Sequence, residues 1–171
     1  MKKIIVLLCL ILCSCSFRED YYTLSVDGYK FTVGYDNVEY LKTTFSLDIK
    51  DELIENECIE DINVYSFGDY FCSVDIINNT DKPISSNKAI ISKLVLYCND
   101  VGERTFMIDD IELDDSVSSN CEKFSGTKIE RNGIACVLES TKSGQLNVIE
   151  LHGDILASDQ DKLDHIVMYV K

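Results

Sequence analysis

The chain has 171 residues, 16 basic against 30 acidic, for a formal net charge of −14, with one proline, no tryptophan and two histidines. That length holds one core with little room for a second, and 46% hydrophobic against 27% charged residues excludes global disorder. The acidity argues against nucleic acid, whose phosphates demand a Lys/Arg stripe, and against charge-driven binding to an anionic lipid surface. It admits a cationic partner, calcium, or simply a soluble surface.

Met1-Lys2-Lys3 precedes ten apolar residues, Ile4 to Cys13, and polarity returns at Arg18-Glu19-Asp20. The run is far short of the ~20 residues that span hydrocarbon, so residues 1–14 read as a signal peptide and not a transmembrane helix. Leu12-Cys13-Ser14-Cys15 resembles the lipobox of bacterial lipoproteins. The resemblance implies cleavage before Cys15 and diacylglycerol on its sulfur. Cys13 is the weaker choice, because bulky Leu12 would then stand where a small residue is wanted; ordinary secretory cleavage is the alternative. Cleavage at Cys15 removes Lys2 and Lys3 and takes the charge from −14 to −16. Residues 15–20 then form a tether and 21–171 a single domain, held on the extracytoplasmic face of the membrane by lipid alone.

Tyr22, Leu24 and Val26 alternate into Asp27-Gly28, after which Tyr29, Phe31 and Val33 alternate again, predicting a hairpin. Asp36 or Asn37 then caps a short helix with Val38, Leu41 and Phe45 on its apolar side. Leu47 to Glu60 is charged and ambiguous. Strands are predicted over Ile62 to Ser66, Tyr70 to Ile77, Ala89 to Cys98 and Thr105 to Leu113. A turn at Gly68-Asp69, the loop Asn78 to Pro83 and a turn near Asn99 to Glu103 separate them. A second short helix starts at Asp115 or Ser116, with Val117, Cys121 and Phe124 apolar and Gly126 placed to end it. Thr127 to Glu130 and Ile134 to Glu139 flank a turn at Arg131-Asn132-Gly133, and strands follow at Leu146 to His152 and His165 to Val170.

The run from Val33 to Val38 echoes that from Ile111 to Val117, both passing from strand to capped helix, and each valine is followed by Phe (Phe45, Phe124) at the same spacing. The expected fold class is therefore α+β: an antiparallel sheet with two short helices packed on one face, a candidate duplicated strand-helix-sheet unit. Asn79-Thr80-Asp81-Lys82-Pro83, followed by Ile108-x-x-Ile111-x-Leu113-x-x-Ser116, is similar to uncharacterised lipoproteins of low-GC Gram-positive bacteria. The module resembles the two-layer repeats of β-lactamase-inhibitor-like proteins and of small outer-membrane assembly lipoproteins. This chain has Asp114 where the pattern prefers Gly, and its helix lacks the usual Gly-x-Pro end. The role the resemblance implies is binding another protein with the concave sheet face.

Five cysteines, Cys58, Cys72, Cys98, Cys121 and Cys136, remain in the exported domain, so full pairing is impossible. By alternation Cys72, Cys98 and Cys136 face inward, and core filling comes first, disulfides second and zinc last. Five carboxylates crowd Asp109 to Asp115; on a continuous strand Asp110, Glu112 and Asp114 would share one face, which makes them the metal candidates, for calcium. Solvated strand charges near a helix N-terminus are the plainer reading. No motif of hydrolases, zinc proteases or phosphate loops occurs, and His152 and His165 read as structural or surface imidazoles. Tyr21, Tyr35 and Tyr40 are the candidate contact residues. These observations favour a non-catalytic, lipid-anchored cell-surface module that binds a protein and needs no cofactor. A small-ligand or calcium-binding lipoprotein and an unrecognised enzyme are the alternatives.

Overall fold

A computed structural model describes residues 21–98, 104–130, 133–141, 145–156 and 158–171. The signal peptide, Cys15, the tether, residues 99–103 and the Arg131-Asn132 half of a predicted turn lie outside them.

The first hairpin forms as its Asp-Gly pair demands: β1 (Leu24–Val26) and β2 (Tyr29–Phe31) meet at Asp27 and Gly28, whose φ values of 50° and 87° are those of a primed turn. Asn37 caps α1 (Val38–Lys42) by accepting the Tyr40 amide at 3.0 Å, and Val38, Leu41 and Phe45 are buried as their spacing requires. The charged stretch that follows yields two short strands, β3 (Ser46–Leu47) and β4 (Glu52–Leu53), before β5 (Cys58–Ser66). β5 turns into β6 (Asp69–Ile77) through Phe67-Gly68, not Gly68-Asp69, because Ser66 and Asp69 still pair. After β7 (Ile84–Ser85) comes β8 (Ile90–Tyr97).

Thr105 to Leu113 is not one strand. Asp109 and Asp110 take φ values of 48° and 64° and fold it into a hairpin, β9 (Phe106–Ile108) and β10 (Ile111–Glu112). Aspartate tolerates this conformation better than most side chains, and two in succession make a primed turn without glycine. Ser116 then caps α2 (Val117–Lys123), and the left-handed residue at its end is Ser125 (φ 53°), with Gly126 donating back to the Cys121 carbonyl at 2.8 Å. Gly126 is needed for closeness: a Cβ there would meet Cys136 Sγ and Leu138 Cδ2 at 2.5 Å. Four strands finish the chain, β11 (Thr127–Glu130), β12 (Ile134–Ser140), β13 (Asn147–Gly153) and β14 (Leu163–Val170).

The balance differs from the expected α+β class. Antiparallel sheet dominates, and the described residues contain two α-helices of five and seven residues. The caps and apolar triads were legible, but each triad has only enough chain for a turn or two before strand resumes. The strands assemble into an eight-stranded sheet, β11-β12-β13-β14-β8-β6-β5-β3, and a four-stranded sheet, β10-β9-β1-β2. Both orders are palindromes in the two halves of the chain. The local bonds repeat with them: Val38 N–H donates to Ala89 and Ile91 N–H to Asp36, as Val117 does to Asp161 and Leu163 to Asp115. Thr105 N–H reaches the Asp27 carboxylate at 3.1 Å, and Thr23 N–H reaches Asp109 at 2.9 Å. Val95 and Val167 face each other in register at the centre of the large sheet.

One core forms between the inward side chains of the large sheet, the two helices and the small sheet. Tyr29, Phe31, Phe45 and Phe71 meet within it, Phe45 and Phe71 with ring centroids 4.7 Å apart. On the opposite face of the large sheet Tyr65, Tyr70 and Tyr97 are exposed, whereas Val148 is buried. All five thiols are free; Cys72, Cys98, Cys121 and Cys136 are buried and pack as small hydrophobes, whereas Cys58 is exposed.

Candidate functional site

Alternation along each strand sends one set of residues to the core and the other to the outer face. On β8, Leu94 and Leu96 are buried while Tyr97 is 46% exposed; on β14, Ile166 and Met168 are buried while His165 is half-buried on the other side. The outer residues at one end of the central strands are all rings. Tyr65 lies 6.4 Å from Tyr70, Tyr70 is 6.5 Å from Tyr97, Tyr97 is 5.7 Å from His165, and His165 stacks on His152 at 4.5 Å with an interplanar angle of 3°. The ladder crosses β5, β6, β8, β14 and β13, and three of its four steps join direct cross-strand partners, Tyr65 with Tyr70, Tyr97 with His165 and His165 with His152. At its β5–β6 end Phe67 is 99% exposed at a φ of 52°, a costly conformation for a bulky residue.

Carboxylates flank the imidazoles. Glu150 Oε2 is 2.9 Å from His152 Nε2, and Asp164 Oδ2 is 2.7 Å from His165 Nδ1. Glu150 also accepts the Tyr169 hydroxyl at 2.7 Å. Partial burial pushes the Glu150 carboxyl up, but the Tyr169 and His152 hydrogen bonds outweigh it and hold the group below its usual range. Burial and the same carboxylate push the Tyr169 phenol up to about 12.

The palindrome exposes an asymmetry. Matching the halves about Val95 and Val167 places Tyr169 opposite Tyr97, Lys93 opposite His165 and Asp75 opposite His152. One row is made of rings throughout; in its counterpart Tyr169 is followed by Lys93 and Asp75, paired at 3.6 Å.

The residues singled out from sequence lie elsewhere. Tyr21 and Tyr35 come together at 6.4 Å, with the Tyr21 hydroxyl donating to Gln145, whereas Tyr40 sits apart on α1 and donates to the Lys30 carbonyl. The three metal candidates are not on one strand face, since the Asp109-Asp110 turn breaks the strand. Asp110 pairs with Lys30 at 3.2 Å, Asp114 with Lys123 at 3.0 Å, and no metal-holding group of three or more His, Cys, Asp or Glu side chains occurs among the described residues. Ser119 and Lys123 hold the Asp114 carboxyl below its usual range.

A cavity of about 190 Å³ opens beside the start of α2, lined by Asp115, Ser116, Asp159, Asp161 and Lys162. It is below the ~300 Å³ at which small-molecule pockets begin, and Asp161 is already committed, accepting from Ser116 Oγ, Ser118 N and Ser118 Oγ. Partial burial raises that carboxyl, and the serine hydrogen bonds more than reverse the shift. A lowered folded-state pKa stabilises above the unfolded value, about 4, and the contribution is lost as pH falls through the folded value. Exchange protection at Ser118 and Ser119 should therefore fall below about pH 4 ahead of that in the central strands; a uniform fall in protection would exclude this local acid lability.

The thiols of Cys72, Cys98 and Cys136 are poor nucleophiles. Burial pushes Cys72 and Cys98 up to about 12 and Cys136 further still, and exposed Cys58 is raised by partial burial and by Asp75 and Glu60. Among the described residues no helix is long and apolar enough to cross a membrane. No family model matches the chain, and no curated protein or solved structure is found to be similar to it.

Proposed function

We propose that this chain is a lipid-anchored, extracytoplasmic binding module that holds another macromolecule on the outer face of its eight-stranded sheet. Its two halves are copies of one strand-helix-sheet unit, as the palindromic strand orders and the repeated bonds at both caps support. The carrying observation is the one-sided ring ladder, Tyr65-Tyr70-Tyr97-His165-His152. Duplication alone makes two equal rows. Divergence of one row into exposed rings, beside a fully exposed Phe67, is a cost to solubility that contact with a partner offsets.

The test is a crosslinked pull-down from native envelopes with the fragment Ser16–Lys171, against the Tyr70→Ala/Tyr97→Ala variant as second bait. A partner held in near-equal amount by the first bait and lost from the second is the expected result. Equal recovery by both baits removes the outer face from the reading. The anchor has its own check: Cys15→Ser should move the protein from the membrane to the soluble fraction, because the lipid on Cys15 is the proposed attachment. A variant that stays wholly in the membrane excludes the anchor.

A further inference from the structure

Resting on the outer face as docking surface, we propose that the segment it receives is a cationic polypeptide whose arginine or lysine side chains lie over the rings of Tyr70 and Tyr97. The chain itself shows the chemistry twice. Arg104 places its guanidinium 4.8 Å from the Phe71 centroid and 5.6 Å from Phe106 while its Nε meets Asp27 at 2.8 Å, a cation held between rings and a carboxylate. Lys171 places its ammonium 5.2 Å over the ring of Tyr169, whose hydroxyl donates to Glu150.

The second case decides the matter, because Tyr169 is the counterpart of Tyr97 across the central pair Val95 and Val167. Lys171 stands two residues beyond Tyr169; the residue two beyond Tyr97 is Asn99, which has no charge to offer. One half thus covers its tyrosine with its own cation. In the other, Tyr97 is 46% and Tyr70 44% exposed, and among the described residues no cation lies over either ring. Among the described residues, carboxylates border the ladder: Glu150 beside His152, Asp164 beside His165, and Asp69 where β6 leaves the Phe67 turn. A chain of net charge −14 draws a basic partner in by long-range attraction, and the rings then fix where it sits.

The probe is a hexa-arginine amide titrated into the fragment Ser16–Lys171, which carries every described element, with binding followed by calorimetry and by tyrosine and histidine ring signals in NMR. The baits are wild type, Tyr70→Ala/Tyr97→Ala and Tyr70→Phe/Tyr97→Phe, all of equal charge. Two exposed cation–π contacts are worth about tenfold in affinity together, so the alanine pair should bind about tenfold more weakly while the phenylalanine pair stays near wild type. Ring signals of Tyr65, Tyr70, Tyr97 and His165 should move. Equal affinity for all three proteins means attraction by net charge alone and overturns the proposal. So does a neutral chitin oligosaccharide that moves the same signals when hexa-arginine does not. The envelope pull-down separates the two readings. A partner lost from the alanine bait, but crosslinked through a segment without Arg or Lys, leaves the docking face standing and sinks the cationic segment.

Discussion

Gly153→Ala is expected to lower the melting temperature of the domain by roughly 10 °C. A Cβ at this position would stand 1.9 Å from the Gln160 carbonyl oxygen, 3.0 Å from its carbon and 3.4 Å from the Ile134 oxygen. All three are backbone atoms and cannot rotate away. Gly153 also sits at the register shift between β13 and β14, where it pairs with Leu163 directly after the His152–His165 pair. Relief therefore requires moving the segment that leads into β14, at a cost of about 3 kcal/mol. A domain of this size loses about 2–4 °C per kcal/mol. Gly68→Ala is the control: its φ is 96°, but nothing lies within 4 Å of the added carbon, so only backbone strain of about 1 kcal/mol is at stake. Thermal unfolding followed by circular dichroism reads both, and a Gly153→Ala loss no larger than that of Gly68→Ala would falsify the crowding argument. The substitution should also disturb the histidine stack, since the next residue back is His152.

The local fold was legible wherever a few adjacent residues decide it. Asn37 and Ser116 accept from amides three residues on, and Asp27-Gly28 takes the positive φ values its turn requires. Inward facing of Cys72, Cys98 and Cys136 followed from alternation for the same reason. The break at Asp109-Asp110 was missed because apolar residues recur on both sides of it, and a turn of two aspartates lacks the glycine that usually announces one. The ring ladder was invisible for a different reason. Tyr65 and Tyr70 are near neighbours in sequence, but Tyr97, His165 and His152 join them only through the order of strands, which periodicity does not contain. The signal present was weaker: Tyr97 and His165 fall on the outward beat of strands whose inward beat is Leu94, Leu96, Ile166 and Met168. The echo between Val33–Val38 and Ile111–Val117 has its structural match in the palindromic strand orders, which the sequence reading did not reach.

The pairing of the two halves at β8 and β14 leaves the two outer rows free to differ. The central pair Val95 and Val167 ties the halves together whatever the outer rows carry, so rings can replace charges on one side at no cost to the core. Sheet edges are the other consequence. The large sheet ends in β3 and β11, two and four residues long, and short edge strands limit pairing with other chains. On the proposed reading, this leaves the outer face as the place for a partner.

Asn78→Asp should destabilise the domain at neutral pH by more than Asn78→Ala, and the order should reverse in acid. Asn78 is fully buried at the start of the loop to Pro83, and its Nδ2 donates to the carbonyls of Ile54 at 2.7 Å and Lys82 at 2.8 Å, with Leu53 at 3.4 Å. Its Oδ1 accepts from the Thr80 amide at 3.0 Å and hydroxyl at 2.7 Å, which closes the loop. Alanine leaves these groups without partners, at about 2–3 kcal/mol and with no dependence on pH. Aspartate keeps the acceptor but turns a charged oxygen toward the carbonyls of Ile54 and Lys82, so the introduced carboxyl has its pKa raised on folding. A raised carboxyl pKa costs stability above the unfolded value, about 4, and the penalty vanishes below it, where the neutral acid donates one hydrogen bond. Urea denaturation of both variants at pH 7 and near pH 4 gives the comparison. Parallel losses for Asn78→Asp and Asn78→Ala at the two pH values would mean that the Nδ2 bonds do not hold β4 to the loop, and the anchoring of Leu53 would then fall to packing alone.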